Sequence, residues 1–159
     1  MFFVGAMVVR IDFVGFEFTQ DKCKERYVND MVTVVEKLVE VDGVRRWERR
    51  YFDFLCSDFK TGKNDFQFVR SVFHWLHEHN VLQEATELYL FSDNAGKHFK
   101  NKHTFDVIMR NAVEWKIRIL WIMYAPNHGM SLCDSHGGIL GQKVLFIYLF
   151  IYFFTHISS

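Results

Sequence analysis

Apolar and polar positions alternate along the first part of the chain in the manner of β-strands. Residues 6–18 are rich in β-branched and aromatic side chains that alternate with charged ones. Residues 31–41 and 46–56 have the same character, and the sequence VDGV at positions 41–44 supplies a turn between them. The pattern therefore predicts three strands that form an antiparallel meander.

The middle of the chain has a helical period. Over residues 64–79 the apolar positions recur every three or four residues, which predicts an amphipathic helix. Residues 87–92 are almost continuously apolar, as is typical of a strand buried in a parallel sheet. A second helix is predicted over residues 100–113, and residues 117–124 form the last predicted strand.

The order of these elements defines the predicted fold class. Three strands are followed by helix, strand, helix and strand, which is a mixed α/β arrangement with right-handed crossovers. We therefore expect a mixed sheet of about five strands, an antiparallel meander followed by two parallel strands, flanked by helices. Residues 1–143 are long enough to bury one core, and we interpret them as one domain.

Residues 144–159 form an apolar C-terminal tail of different composition. Residues 144–154 are an unbroken run of Val, Leu, Ile, Phe and Tyr. This run is shorter than the roughly 18–20 residues that a membrane-spanning helix needs, so we do not expect it to cross a membrane. Because the run lacks the charged face of a closing helix, we hypothesise that the domain is truncated and that the tail is a non-native continuation.

The charges of the chain cancel as a whole but not locally. Nineteen Lys and Arg balance nineteen Asp and Glu, so no global field attracts a polyanion. Residues 1–92 hold 12 basic and 15 acidic side chains, whereas residues 93–143 hold 7 basic and 4 acidic ones plus four His. Three widely spaced cysteines do not form a disulfide framework, which favours an intracellular location.

Three aspartates are candidates for chemistry. Asp12 lies within an apolar strand, where it needs a partner such as Arg10, a backbone donor or a metal ion, unless it faces solvent. Asp93 directly follows the strand at 87–92, where active groups collect in α/β sheets, although a turn or helix cap is the alternative. Asp134 is the only acid after Glu114 and is therefore the only candidate for a third carboxylate.

The order of these acids resembles the RNase H-like catalytic core of DDE transposases and integrases. Residues 91–102, FSDNAGKHFKNK, are similar to the S-D-G-x-x-x-Q-F-K-N segment of open reading frames derived from eukaryotic transposons. Residues 121–138 with Lys143 resemble the W-x-F-x-A-x-x-H-G-K-x-x-C-D-x-x-x-G-x-x-K pattern that follows in those sequences. The IDF at residues 11–13 is similar to the D-F that ends their first strand. The resemblance covers most of residues 6–143.

This resemblance implies metal-dependent phosphoryl transfer on DNA, that is, strand nicking and joining. Asp12 would bridge two Mg²⁺ or Mn²⁺ ions, Asp93 would hold one of them and Asp134 the other. If active, the protein would be a magnesium-dependent DNA transposase or nuclease. The resemblance also implies DNA as a partner, a homo-oligomer assembled on DNA, and a nuclear location.

Basic residues near these acids are candidates for contacts to DNA phosphates. A solvated helix face, or a capping role for the loop histidine, is the alternative reading of the same residues. The candidates are Lys97, His98, Lys100, Lys102 and His128.

The chain departs from the resembled pattern at three positions. Asn94 replaces a Gly, Met130 replaces a Lys, and Gly15 stands where an acid often follows. These departures bear on activity rather than on fold. A noncatalytic nucleic-acid or protein interaction module of the same fold is therefore the alternative function.

A zinc site is a further alternative. His128, Cys133 and His136 are ligand types that suit Zn²⁺, although their spacing matches no established pair of ligand motifs. A fourth ligand would have to come from Cys56, Cys23 or a distant histidine.

Overall fold

The computed structural model describes residues 6–20, 24–56, 66–93, 99–125 and 132–143, without the side chains of residues 13–20, 24–30 and 56. Its strands are β1 (Ala6–Gln20), β2 (Lys24–Val41), β3 (Val44–Cys56), β4 (Glu87–Ser92) and β5 (Arg118–Met123). Its helices are α1 (Phe66–Glu78), α2 (Lys102–Glu114) and α3 (residues 132–143).

The five strands form one mixed sheet in the order β3-β2-β1-β4-β5. Strands β1, β2 and β3 pair antiparallel, whereas β4 is parallel to β1 and β5 is parallel to β4. This order with these directions is that of an RNase H-like sheet. The predicted meander followed by two parallel strands, flanked by helices, is thus confirmed.

The first two strands are longer than the sequence pattern predicts. Strand β1 continues to Gln20 and β2 already begins at Lys24, with these two residues paired in the sheet. Many side chains between residues 19 and 30 are polar or charged, so no alternation marks a strand there. Pairing between neighbouring strands extends them where local sequence preference does not.

The sheet packs on both faces. Met7 and Val9 of β1 and Leu90 of β4 lie in the main core, against Phe73 of α1 and Ile108 of α2. We call this side the α1/α2 face. The main core therefore lies between the sheet and the two crossover helices.

The opposite side, which we call the α3 face, carries a smaller core. Val32 and Val34 of β2 pack there against Cys133 of α3, and all three are fully buried. Because side chains alternate along a strand and paired residues share a face, the β1 residues opposite Val34 and Val32, Arg10 and Asp12, lie on the α3 face as well.

Helix α2 has defined caps at both ends. The Asn101 side chain accepts hydrogen bonds from the backbone N–H groups of His103 and Thr104, which explains why the helix starts at Lys102. At the other end Lys116 has a positive φ of 56°. The Lys116 N–H donates to the Val113 carbonyl and the Ile117 N–H to the Ala112 carbonyl, at 3.3 and 3.1 Å. This is a Schellman motif with lysine where glycine is usual.

Candidate active site

Asp12 and Asp93 directly follow the last residue pair of the parallel β1–β4 ladder, at the end of β4 and at the point where β1 continues in its pairing with β2 alone. The last paired residues of β1 and β4 are Ile11 and Ser92, and the two aspartates follow directly. Both side chains are half-buried. In sheets of this kind, ligands bind beyond the carboxyl ends of the strands, because loops diverge there and leave a crevice. The structure therefore brings these two predicted residues to the place where a site is expected.

Ser92 fixes the backbone on which Asp93 sits. The Trp121 indole Nε1–H donates to the Ser92 hydroxyl at 2.9 Å, and this hydroxyl donates to the Asp93 carbonyl oxygen at 3.1 Å. The Tyr124 N–H in turn donates to the Ser92 carbonyl at 2.9 Å. Sequence reasoning did not single out Ser92, although a hydroxyl in an otherwise apolar strand just before an aspartate was the available signal.

Helix α3 brings Asp134 to the same face of the sheet. Its neighbour Cys133 is fully buried against Val32 and Val34, and Val32 is paired with Asp12 on β1. Asp134 itself is exposed. Asp134 therefore lies on the helix that packs on the α3 face, in a layer separate from the sheet that carries Asp12 and Asp93.

A histidine attaches α3 to the edge strand β3. The Nε2–H of His136 donates to the Asp53 carboxylate at 3.0 Å. The His136 ring also stacks on the Tyr51 ring, with centroids 4.7 Å apart and planes at 20°. Asp53 is paired with Val32, so these contacts continue the row that contains Asp12. Together they hold α3 over the middle of the meander.

An ionic triad lies next to this row on the same face. Glu36, with a side chain 8% exposed, pairs with Arg10 on β1 and accepts two hydrogen bonds from Arg49 on β3, at 2.8 and 3.0 Å. The Arg10 guanidinium also lies over the Phe91 ring, 5.3 Å from its centroid. Arg10, which the sequence suggested as a partner for Asp12, is therefore paired with Glu36.

The two resolved pKa shifts belong to the opposite end of β4. The hydrogen bond from Lys37 to Glu84, at 2.6 Å, lowers the pKa of the Glu84 carboxyl. The hydrogen bond that Tyr89 donates to Glu87 raises the pKa of the Tyr89 hydroxyl. Glu84 is exposed and Tyr89 is half-buried, and neither shift involves the carboxylates of Asp12 and Asp93.

Carboxylate oxygens are the ligands that Mg²⁺ prefers, and in donor chemistry the three aspartates fit such an ion. Within the described ranges, however, no group of three or more His, Cys, Asp or Glu side chains is close enough to hold a metal. The described residues therefore place Asp12 and Asp93 next to each other and Asp134 on a helix that packs on the same sheet, without assembling the three into a ligand cluster.

The described residues of the zinc alternative have other partners. Cys133 is buried against valines, and His136 binds Asp53. His128 lies outside the described residues, as do Lys97, His98, Asn94 and Met130. Lys100 and Lys102 are exposed beside the start of α2, while Gly15 is part of β1.

The comparisons with known proteins give a family without a function. Residues 5–149 match the family model described as Domain of unknown function (DUF8701), and the chain belongs to that family. The match runs past residue 143 into the predicted tail, residues 144–159, which lie outside the described residues. No curated protein matches the sequence.

One solved structure aligns with the chain. It is described as a crystal structure of the Ppx/GppA protein family member of Aquifex aeolicus, with 9% identity and a TM-score of 0.34. The alignment covers 74% of this chain and 35% of the other, so the chain spans about a third of that protein's length. At these values the alignment carries no argument about function. No helix in the described ranges is long and apolar enough to cross a membrane.

Proposed function

We propose that this chain is a catalytic-core domain of the DDE transposase kind, which transfers phosphoryl groups on DNA with the help of a divalent metal. The observation that carries the proposal is the register of β1 and β4, in which Asp12 and Asp93 each follow the last residue pair, Ile11 and Ser92, of the parallel ladder. Helix α3 carries Asp134 and packs through Cys133 on Val32, the partner of Asp12, which supports Asp134 as the third carboxylate.

In this proposal each aspartate has its own role. Asp12 would be a ligand of both cations, Asp93 of one and Asp134 of the other, while the hydrogen bonds of Ser92 keep the backbone of Asp93 in place. Bound Mg²⁺ or Mn²⁺ supplies Lewis-acid activation of the attacking and leaving oxygens. Asp134 lies on α3, so the position of that helix determines whether Asp134 comes close enough to Asp12 and Asp93 to bind the same pair of ions.

The partner in this proposal is DNA, and the protein acts in the nucleus as a homo-oligomer on its substrate. Lys100 and Lys102 lie at the start of α2, the helix that follows Asp93 in the chain, and both are exposed. Cations at that place attract the phosphate backbone without reading sequence. The same role extends to Lys97, His98 and His128 as a prediction from the sequence.

A noncatalytic interaction module is the second candidate. The observation that favours it is the exposed position of Asp134, together with the lack of a three-ligand group in the described ranges. In that case the fold and its basic residues bind nucleic acid or protein, and the aspartates serve as ordinary surface and turn residues.

A Mn²⁺ titration followed by thermal unfolding separates the two candidates. A metal that binds only the folded state stabilises it by about 2.7 kcal/mol at a hundredfold excess over Kd. We expect Mn²⁺ to raise the Tm of the full chain, and Asp12→Asn and Asp93→Asn to abolish the rise. Asp106→Asn is the matched control, since Asp106 is an exposed aspartate on α2 paired with Arg110.

Nicking of supercoiled plasmid in Mn²⁺ then tests for catalysis in the same variants. Stabilisation that is lost in Asp12→Asn and Asp93→Asn but kept in Asp106→Asn supports the catalytic site. A folded wild-type chain whose Tm does not respond to Mn²⁺ overturns it, and the noncatalytic module becomes the better account.

A further inference from the structure

We infer that the α3 face of the β2–β3 hairpin binds single-stranded DNA and leads it to the aspartates. The surface consists of Arg45, Trp47 and Arg49 on β3 together with Arg10 on the same face of β1. We call these four residues the Arg–Trp strip. This inference deepens the proposed function, since it assigns the substrate strand a path to the proposed site. None of these residues is among the candidates for DNA contacts that the sequence analysis gave.

The strip carries excess positive charge at a fixed place. Two guanidinium groups, Arg10 and Arg49, share the single carboxylate of Glu36, so the triad has a net charge of +1. The Arg10 and Arg49 side chains are 24% and 42% exposed, and their other N–H groups are directed by the bonds to Glu36. Guanidinium groups held in this way match the geometry of a phosphate better than mobile lysines do.

One aromatic side chain, Trp47, accompanies this charge. Trp47 lies two residues from Arg49 on the same strand and therefore on the same face, and it is 40% exposed. Bases of single-stranded nucleic acid stack on such rings, and the backbone follows a cationic groove beside them. Bases in a duplex are already stacked on one another, so a ring on the protein surface favours a single strand.

The strip is continuous with the proposed active site. Arg10 and Asp12 are two residues apart on β1, about 6.6 Å along the strand, and lie on the same face. At the outer end, Arg45 pairs with Glu40 across the hairpin at 3.2 Å. A strand of DNA that lies on Trp47 and on the Arg10–Arg49 pair is therefore led along β1 toward Asp12, beside the rows of β2 and β3 that α3 covers.

The opposite face of the hairpin provides a matched control. Arg46 lies on β3 between Arg45 and Trp47, and its side chain points to the α1/α2 face and pairs with Glu48 at 3.8 Å. The residues of β3 on that face between 44 and 50 include no aromatic side chain. Arg46 thus carries the same charge as the arginines of the strip but lies on the opposite face of the hairpin.

The test is fluorescence anisotropy with a labelled dT oligonucleotide, with EDTA present and in the Asp12→Asn background. We expect Trp47→Ala to weaken binding about fivefold or more, and Trp47→Phe to retain most of it. We expect Arg49→Gln to reduce the slope of log K against log salt by about 0.7, the value of one phosphate contact. Arg46→Gln should change neither quantity. Circular dichroism verifies that each variant is folded.

Several results would overturn the inference. They are an unchanged affinity in both Trp47→Ala and Arg49→Gln, an equal loss in Arg46→Gln, and equally tight binding of a duplex of the same length. Displacement of the oligonucleotide by millimolar inorganic phosphate, against chloride of the same ionic strength, would identify a free phosphate as the ligand instead. Because metal is absent and Asp12 is replaced, a failed metal site leaves this test intact.

Discussion

The Nε2–H of His136 donates a hydrogen bond to the carboxylate of Asp53, with the two heavy atoms 3.0 Å apart. The two residues are 83 positions apart in the sequence and join the last described helix to an edge strand. Asp134 lies two residues before His136 on α3. The bond therefore bears on the site, because it helps to set where Asp134 stands relative to β1.

The thiol of Cys133 reports whether α3 is docked. Cys133 lies on α3 and is fully buried between this helix and the sheet, so we expect it to react with a thiol reagent only when α3 separates from the sheet. We expect His136→Ala to increase the labelling rate about tenfold, because a hydrogen bond to a charged group contributes about 1.5–3 kcal/mol. His136→Gln, which keeps an N–H donor, should label at an intermediate rate.

The labelling uses a background in which Cys23 and Cys56 are replaced by serine. His74→Ala is the control, since His74 is also paired with an acid, Glu78 at 3.1 Å, but lies on α1. Equal labelling rates in His136→Ala and the parent protein would show that this bond does not hold α3.

Glu36 and Glu40 of β2 should contribute very different amounts to the free energy of unfolding. Glu36 serves two arginines and is 8% exposed, so Glu36→Gln leaves two half-buried cations poorly compensated and should lower the free energy of unfolding by about 2 kcal/mol. Glu40 pairs with Arg45 in the open, and Glu40→Gln should cost less than about 1 kcal/mol. Urea unfolding measures both. Similar costs would mean that the triad contributes no more than a surface ion pair.

The Lys37–Glu84 contact predicts a specific pH dependence. The ammonium group lowers the pKa of Glu84 below its ordinary value of 4.5, so the folded state favours the charged form. The resulting stabilisation is present above the pKa of the unfolded chain and is lost as pH falls through the lower pKa of the folded state. An NMR titration should show the Glu84 pKa rising toward 4.5 in Lys37→Met. A pKa that does not move would assign the shift to another cause.

Lys116→Gly should stabilise the protein. Lys116 occupies the left-handed position after α2 with a φ of 56°, where a side chain costs about 1 kcal/mol and glycine does not. The gain in the free energy of unfolding should be at most about 0.5 kcal/mol, since the additional entropy that glycine loses on folding offsets much of the relieved strain. Lys102→Gly, within the same helix, should destabilise instead. A loss of stability in Lys116→Gly would mean that the lysine side chain makes a contact that outweighs the strain.

Local patterns in the sequence predict the elements of this fold well and the contacts between them poorly. The apolar run at 87–92 and the helical period before it depend on near neighbours, and the structure has both elements. The side-by-side placement of Asp12 and Asp93 follows once the strand order is known. Neither the pairing of Arg10 with Glu36 nor that of Asp53 with His136 leaves a periodic signal, because each joins residues far apart in the chain.

Strand β1 lies at the centre of the sheet, between a partner that follows at once and a partner that comes much later. It pairs with β2 across a short connection. Its other edge pairs with β4, where Met7 is opposite Leu88, 81 positions later in the chain. Contacts of such long sequence separation form slowly, and an unpaired strand edge is open to pairing with other chains until then. During synthesis we therefore expect the meander to form first and to expose one edge until residue 92 has emerged. Asp12 and Asp93 come together only when β4 pairs with β1. A variant that stalls before this step would therefore have the meander but lack the site.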